Sequence, residues 1–468
     1  MNRKGGDGTP DFENFTLANL TVEVFGLKEG LNDVFLLSNG IIVCLMQCGF
    51  ACLEAGAVRS KNTTNIIMKN IMDIFISAVA YWLVGYALGH GHGNPVFGGT
   101  YFAGVGLPAG RRAHWFFHCV FAATAATLVS GAVAERCNYI AYITYSAVIS
   151  GLIYPPATHW VWTEEGWLQK LGYQDYSGCG PVHLLGGVCS FWGAFLLGPR
   201  IGRFEKKRNN KQSETIMGHS VPLTGIGGMI LVAGFLAFNG AALGSMANPD
   251  DEDTISRVII NTVLGGSGGS IVMLAVCKLG LFGPPAWSFS LTLNAAFIGM
   301  VSVCASPDKL DMWAGFVSGA STVPIYLLIH HFMIWNKVDD PLDAVAVHFG
   351  GGFWGLITGS FLAEDGIFYG ATYDSAMVLL LRMLGALVII CWATCTSCIM
   401  FLTLKFFGKL RVNQEQELRG LDISMHNEPG YPPEGWLPLQ PLPLRNESEA
   451  LMNHKNIMNS ESYFSERL

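Results

Sequence analysis

The sequence predicts an all-α polytopic membrane protein, and two observations carry this prediction. Asp, Glu, Lys and Arg together make up 13% of the 468 residues, about half of the roughly 25% that is usual in soluble proteins. Long apolar stretches also recur, and a bilayer core about 30 Å thick needs about 20 apolar residues per helix. We expect helices rather than a barrel because the stretches are continuous and do not alternate with polar residues.

About eleven stretches have this length and character. Their approximate centres are Met46, Ala78, Thr124, Val148, Val188, Ala233, Gly268, Phe297, Ser321, Gly355 and Cys391. The prediction divides the chain into an extracellular N-terminal segment (1–31), an eleven-helix membrane domain (32–408) and a cytoplasmic, regulatory tail (409–468). Beyond Tyr431 the tail is rich in Pro, Leu and Glu, which is typical of a disordered segment.

Charges in the short loops predict the orientation, because basic loops stay in the cytoplasm. The loop after the fifth stretch contains Arg200, Arg203, Lys206, Lys207, Arg208 and Lys211, whereas the loop after the sixth contains Asp250, Asp251, Glu252 and Asp253. We therefore place the basic loop and the C-terminus in the cytoplasm and the N-terminus outside. Asn14 and Asn19 begin glycosylation sequons on this predicted outer side.

Two histidines inside predicted spans, His183 and His348, follow similar segments. Each comes eight residues after an aspartate, Asp175 or Asp340, and each precedes a glycine cluster and a Phe-Trp-Gly tripeptide. An ionisable side chain at membrane depth is costly and usually functional. Matching positions in two halves of the chain indicate a site at the interface between two repeats.

Cofactor chemistry is not indicated elsewhere. Cys44, Cys48 and Cys52 share one helix face, which is compatible with a metal site or with packing, and we favour packing. The chain has no GxxxxGK[ST] or HExxH motif, which argues against ATP-driven transport and metal-dependent intramembrane hydrolysis. We predict no enzyme activity, no metal or other cofactor and no nucleic-acid partner.

Several segments resemble the ammonium transporters, in the Amt branch of the Amt, Mep and Rhesus superfamily. They are residues 49–62 (GFACLEAGAVRSKN), residues 131–136 (GAVAER) and the two histidine segments, with Asp175 and Asp343 at the family's aspartate positions. The resemblance extends from about Leu31 to Tyr431. It implies a homotrimer in the plasma membrane, in which each protomer has its own pore between two inverted five-helix repeats and adds a final helix.

The resemblance also implies which residues recognise the substrate. Phe121 and Trp162 stand at the positions of the family's aromatic cage, and Phe117 matches a neighbouring aromatic residue. Phe121 and Phe238 match its stacked phenylalanine gate. Ala242 replaces the serine that usually completes the cage, so one hydrogen bond to the substrate is in doubt.

The chemistry expected of these residues is selection by deprotonation. An aromatic ring attracts ammonium and potassium alike, whereas neutral ammonia alone avoids the cost of moving a charge through an apolar lumen. We expect His183 and His348 to line this lumen and to pass hydrogen bonds along it. Asp175 is expected chiefly to cap a helix and to hold the cage, and Asp340 and Asp343 are expected to cap the tenth span.

The tail carries a second part of the resemblance. Residues 420–426 are similar to a family segment in which a threonine can be phosphorylated to close the trimer, and Ser424, near Asp422, occupies that place. The implied function is transport of ammonium or ammonia and of methylammonium. Two alternatives stay open: a Rhesus-type channel for neutral ammonia or carbon dioxide, towards which Ala242 leans, and an ammonium sensor that signals through the tail.

Overall fold

The computed structural model describes residues 17–205 and 216–432. These residues form helices joined by loops, and no strand occurs among them. The first half contains α1 (Leu20–Ala57), α2 (Ser60–His90), α3 (Ala109–Ala132), α4 (Tyr139–Leu171) and α5 (Cys179–Leu197). The second half contains α6 (Val221–Leu243), α7 (Asp251–Lys278), α8 (Phe289–Val303), α9 (Met312–Trp335) and α10 (Val345–Leu362), and it is followed by α11 (Tyr373–Phe406).

The all-α membrane class is confirmed, because ten of these helices are long and apolar enough to cross a bilayer. The remaining helix, α8, lies at the predicted span near Phe297 but has 15 residues, fewer than the roughly 20 that a crossing needs. Eleven crossings therefore stay a prediction that depends on α8.

The first helix begins earlier than the sequence indicated. Its backbone is helical from Leu17, inside the segment predicted to precede the membrane domain. Glu23, Lys28 and Glu29 interrupt the apolar pattern there, which is why hydropathy did not reveal this part of the helix. At 38 residues, α1 is about 57 Å long, so its first turns extend beyond a hydrocarbon core of about 30 Å. Asn19 falls in this helix, and Asn14 lies outside the described residues.

Contacts between the halves follow their matching order. The first helix of each half packs against the other, α1 on α6, and so do the last helices, α5 and α10. After an odd number of crossings, the chain ends on the face of the bilayer opposite to the one on which it began. A second half with the same order of helices therefore starts from that face and is inverted relative to the first. The two histidines lie near the N-terminal ends of α5 and α10.

A buried charge network ties several loops together at one end of the bundle. Glu135 accepts a hydrogen bond from the Arg59 backbone at 2.8 Å and pairs with Arg59 and Arg200. Arg200 also binds Asp339 through two contacts of 2.8 and 3.1 Å. Burial alone would raise the pKa of Asp339, but Arg200 and Arg136 lower it to about 2. Residues 49–62 and residues 131–136, the two family-like segments that contain no histidine, therefore meet at this network.

Candidate functional site

A vestibule opens at the other end of the bundle, with a volume of about 500 Å³. Its lining includes four carboxylates and one guanidinium group, from Glu29, Asp33, Glu164, Glu165 and Arg111. The excess of negative charge favours cations in the vestibule over anions. Trp162 forms part of the floor.

The predicted cage and gate aromatics form one continuous group below the vestibule. The ring centroids of Phe117 and Phe121 are 4.7 Å apart, and Trp162 meets Phe121 edge-on at 6.4 Å. Phe121 and Phe238 stack at 3.9 Å with an angle of 11° between their planes, and both are almost fully buried. The structure thus brings all four aromatic residues together.

Two further predicted residues complete this region. Ala242 lies half-buried in the short turn Ala241–Leu243, just before Gly244, which lines the vestibule. The Trp162 indole N–H donates to the backbone carbonyl of Asp175 at 2.8 Å. This hydrogen bond fixes the tryptophan ring relative to the segment that leads to His183.

His183 and His348 lie directly beyond the stacked phenylalanines. The ring of His183 is 5.7 Å from that of Phe238, and its Nδ1 is 3.2 Å from the Nδ1 of His348. The two imidazole planes are almost parallel, at 7°, and both side chains are buried. A second cavity of about 40 Å³ follows, lined by His348 and mostly by apolar residues.

The same local backbone arrangement holds each histidine. It lies in a π-helical turn, Cys179–Leu184 or Val345–Phe349. A carboxylate oxygen of Asp175 accepts from the Gly180 N–H at 2.7 Å, and one of Asp340 accepts from the Val345 N–H at 2.8 Å. Both bonds join residues five apart, and each histidine follows three residues later. The repeated eight-residue spacing of the sequence therefore reflects a repeated helix cap.

Glycines allow the two histidine helices to cross closely. Gly187 and Gly352 each follow their histidine by four residues. A Cβ atom on Gly187 would lie 2.3 Å from the Phe349 nitrogen, and one on Gly352 would lie 2.5 Å from the Cys179 carbonyl oxygen. Any side chain at either position would push α5 and α10 apart.

The aspartates differ in the bonds that they make. The carboxylate of Asp175 also accepts from the N–H groups of Gly178 and Cys179, at 3.0 and 2.9 Å, and from the Tyr173 hydroxyl at 3.2 Å. Its predicted capping geometry is present. Burial raises the pKa of Asp340, the second cap, to about 6.

Asp343 does not use its carboxylate as the expected cap. It has a φ of 58°, and its oxygens lie 2.6 Å from the Tyr326 hydroxyl and 2.8 Å from His330 Nδ1. By geometry, Asp340 and not Asp343 is the counterpart of Asp175. The equal spacing of eight residues between aspartate and histidine therefore identified the capping residue correctly.

Sequence patterns missed one neighbour of the histidine pair. The Cys304 thiol, just after α8, lies 3.8 Å from His183 Nε2 and 3.2 Å from the side-chain oxygen of Asn239. No local motif surrounds Cys304, and only the packing of α8 against the histidine turn brings it to this position.

The predicted regulatory residues lie on the same end of the bundle as the charge network. Asp422 is buried and accepts from the Asn65 N–H at 2.9 Å, and the His426 ring lies 2.9 Å from the Asn65 side chain. Ser424 is half-buried, and its hydroxyl donates to the Gly420 carbonyl at 2.7 Å. The described residues up to Glu428 form one compact unit, and beyond it the structure describes residues 429–432.

The fold and this site define a polytopic helical membrane protein in which an acidic vestibule, a stacked aromatic pair and two paired buried imidazoles follow one another. A sequence model of the Ammonium Transporter Family matches residues 34–431. The chain belongs to this family, which is a family of transporters and not of enzymes.

Individual relatives agree with this assignment. Putative ammonium transporter 1 of Caenorhabditis elegans is 44% identical over 440 residues, which cover 89% of this chain and 81% of that protein. Ammonium transporter 3 of Dictyostelium discoideum is 35% identical over 428 residues, covering 87% and 95%. Ammonium transporter Amt2 of Archaeoglobus fulgidus is 34% identical over 423 residues, covering 85% and 88%.

Solved structures have the same fold. A protein described as a sensor Amt protein superimposes with a TM-score of 0.79 and 29% identity, covering 86% of this chain and all of that one. The crystal structure of Candida albicans Mep2 superimposes with a TM-score of 0.75 and 22% identity, covering 85% and 89%. At this lower identity, the second comparison supports the fold alone.

Proposed function

We propose that the chain transports ammonium across the membrane by taking it up as a cation and passing it through the lumen as ammonia. The observation that carries the proposal is the parallel pair of buried imidazoles, His183 and His348, directly below a stacked phenylalanine gate. Membership of the Ammonium Transporter Family and the names of the relatives support ammonium as the substrate.

Recruitment takes place at the aromatic group. Carboxylates in the vestibule raise the local cation concentration, and the faces of Trp162 and Phe121 attract the cation by about 0.5–2 kcal/mol. Ala242 offers no hydroxyl, so recruitment depends on the rings and on backbone carbonyls. Methylammonium, a cation of the same chemistry, binds in the same way.

The proton is lost before the lumen. Phe121 and Phe238 stack too closely for a hydrated cation to pass, and a bare cation would lose several kcal/mol of hydration free energy that an apolar lumen does not return. The hydrogen bonds of Asp175 are directed to three backbone N–H groups and the Tyr173 hydroxyl. This carboxylate therefore shapes the site, and the proton passes to water in the open vestibule.

The histidine pair guides ammonia beyond the gate. The Cys304 thiol can donate to the Asn239 side chain at 3.2 Å, which leaves its sulfur free to accept from His183 Nε2–H. We therefore assign the acceptor nitrogen of His183 to Nδ1 and the donor of the pair to His348 Nδ1–H. His348 then presents an acceptor Nε2, and the two rings form a directional chain of hydrogen bonds along the path.

Assembly, location and orientation are part of the same proposal. We infer a homotrimer in the plasma membrane from the family resemblance, with the N-terminus outside and the C-terminus in the cytoplasm. Arg59, Arg200 and Arg203 gather at the proposed cytoplasmic end, in agreement with the positive-inside rule. Native mass spectrometry tests the trimer, and glycosidase treatment of Asn14 and Asn19 variants tests the orientation.

The tail regulates transport in this proposal. The segment around Asp422 packs on the first turns of α2 through Asn62 and Asn65, so a change in the tail reaches the transport unit directly. Among the described residues, the hydrogen bond of the Ser424 hydroxyl is to the Gly420 carbonyl within its own turn. Phosphate on Ser424 would place negative charge two residues from a buried carboxylate and displace the segment.

Uptake of labelled methylammonium and current under voltage clamp test the proposal together. We expect uptake that saturates with the cation. A wild-type current when ammonium is added would show that the released proton, or an intact cation, crosses as well. Uptake that follows only the concentration of neutral base as external pH is varied would support the Rhesus-type channel instead. A cellular response to ammonium that persists in a His183 variant with a blocked pore would support the sensor hypothesis.

A further inference from the structure

Three histidines lie together beside the vestibule, separate from the pair in the lumen. His90 ends α2, and His114 and His118 are one turn apart on α3. The ring centroids are separated by 4.9 Å for His90 and His114, 4.1 Å for His90 and His118, and 4.2 Å for His114 and His118. We refer to these three residues as the vestibular histidine cluster. His90 and His114 also line the vestibule itself.

The nitrogens of the cluster are arranged to receive a shared ligand. One ring nitrogen from each histidine lies within 4.8 Å of the other two. His90 Nε2 and His118 Nδ1 are buried and have no hydrogen-bond partner among the described residues. Buried polar atoms in folded proteins nearly always have a hydrogen-bond partner or a ligand, so these two nitrogens need a partner that the described residues do not supply. His114 Nδ1 lies 3.1 Å from the Tyr86 hydroxyl, which orients its ring as outer partners of metal-binding histidines do.

The surroundings favour a cation over an anion at this position. Glu29, Asp33, Glu164 and Glu165 line the same vestibule. The nearby Arg111, which donates to the His90 carbonyl at 3.2 Å, sets a single positive charge against these four carboxylates. The vestibule gives an ion about 500 Å³ of open approach.

We propose that the vestibular histidine cluster binds a divalent transition-metal ion such as Zn²⁺ and that the bound ion slows ammonium uptake. Imidazole ligands select zinc, copper and nickel over calcium and magnesium, which prefer oxygen. Three histidines with a fourth, open position are a common zinc site. Zinc–nitrogen bonds of about 2.0–2.1 Å draw the three nitrogens closer than they stand now, which rotation of the rings provides.

The effect on transport follows from the position of His118. Its ring centroid is 6.0 Å from that of Trp162 and 6.1 Å from that of Phe121. A divalent cation at the cluster therefore repels a monovalent cation at the proposed recruitment site. This second part rests on the proposed function, whereas metal binding itself does not.

Metal binding is tested on the purified full-length chain, with zinc chloride titrated by calorimetry into the wild type and into His90→Gln and His114→Gln. Losing an outer partner of a ligand typically lowers metal affinity about 10–100-fold, so losing a ligand should weaken binding at least about tenfold. The matched control is His92→Gln, because His92 lines the same vestibule but is exposed and pairs with Glu165. We expect one tight site per chain, lost in both cluster variants and kept in the control.

Unchanged zinc affinity in His114→Gln, or a loss only in His92→Gln, would overturn the site. Because His90 is buried and its variant can fail to assemble, the half-buried His114 keeps the test decisive. In parallel, repulsion between the bound ion and the incoming cation should lower labelled methylammonium uptake at least about tenfold in the wild type and in His92→Gln when zinc is added outside, but not in His114→Gln. Zinc that binds without lowering uptake would overturn the inhibitory role, and absent uptake without zinc would instead contradict the proposed function.

Discussion

Replacing Asp175 separates a structural role of this carboxylate from a proton-accepting role. In Asp175→Ala, the N–H groups of Gly178, Cys179 and Gly180 lose the acceptor that now lies 2.7 to 3.0 Å away. A buried donor without a partner costs about 1–3 kcal/mol, so the total is about 3–9 kcal/mol. This is comparable to the whole stability of many domains, and we expect the variant to assemble poorly and to carry no flux.

Asp175→Asn should behave differently because it keeps one carbonyl oxygen. That oxygen can still accept from Gly178 and Cys179, and the Tyr173 hydroxyl can turn to accept from the new amide group. Only the Gly180 N–H loses its partner, at a cost of about 1–3 kcal/mol. We expect a properly assembled variant that retains a small part of the methylammonium flux.

The assay is labelled methylammonium uptake per assembled protein, together with the thermal unfolding midpoint in detergent. Asp340→Asn is the matched control, since it alters the equivalent cap at the second histidine, with Val345, away from the aromatic cage. It should lower the midpoint slightly and keep most of the flux. An assembled Asp175→Asn protein with no flux at all, beside an active control, would refute the capping argument and favour an essential negative charge.

Three further predictions concern the mouth, the tail and the helix crossing. Trp162→Leu should weaken apparent ammonium affinity about 2- to 30-fold, the equivalent of 0.5–2 kcal/mol, with less effect on maximal uptake; unchanged affinity would remove the ring from recruitment. Ser424→Asp should depress uptake and Ser424→Ala should not, and wild-type uptake in the Asp variant would count against the switch. Gly187→Ala and Gly352→Ala should lower the yield of folded protein, measured by size-exclusion chromatography, whereas Gly110→Ala, where the new methyl group meets open space, should not.

Composition was sufficient to predict the helical membrane class, because few charges and long apolar stretches leave little alternative. The ends of the helices were harder to predict from the sequence. Charges at Glu23, Lys28 and Glu29 hid the early start of α1, since a helix that extends beyond the bilayer has no need to be apolar. The short α8 was counted from its apolar character, which does not reveal how deep a helix lies.

The site was predictable wherever its chemistry repeats along the chain. The matching segments identified His183 and His348, and their spacing to the aspartates reflects the two caps. Asp340 and Asp343 could not be told apart by residue type, because either can cap a helix. Only the backbone course, with a φ of 58° at Asp343, turns one of them away from the helix start.

Residues that act through long-range packing gave little or no signal. Cys304 reaches His183 from a different helix, and no motif marks it. The i, i+4 spacing of His114 and His118 was visible on one helix face, but His90 comes from another helix, so the sequence offered no reason to group the three. Contacts between distant segments depend on how the helices cross, which local patterns do not encode.

Ion selectivity of the histidine variants tests the central claim most directly, which is that ammonium gives up its proton before it passes His183 and His348. An acid in place of either histidine keeps the lumen polar but adds a charge that can accompany an intact cation. We predict that His183→Asp and His348→Glu, with surface expression verified, carry larger currents and admit potassium as well as ammonium, while His183→Ala only loses flux. Acid variants that still exclude potassium would contradict selection by deprotonation.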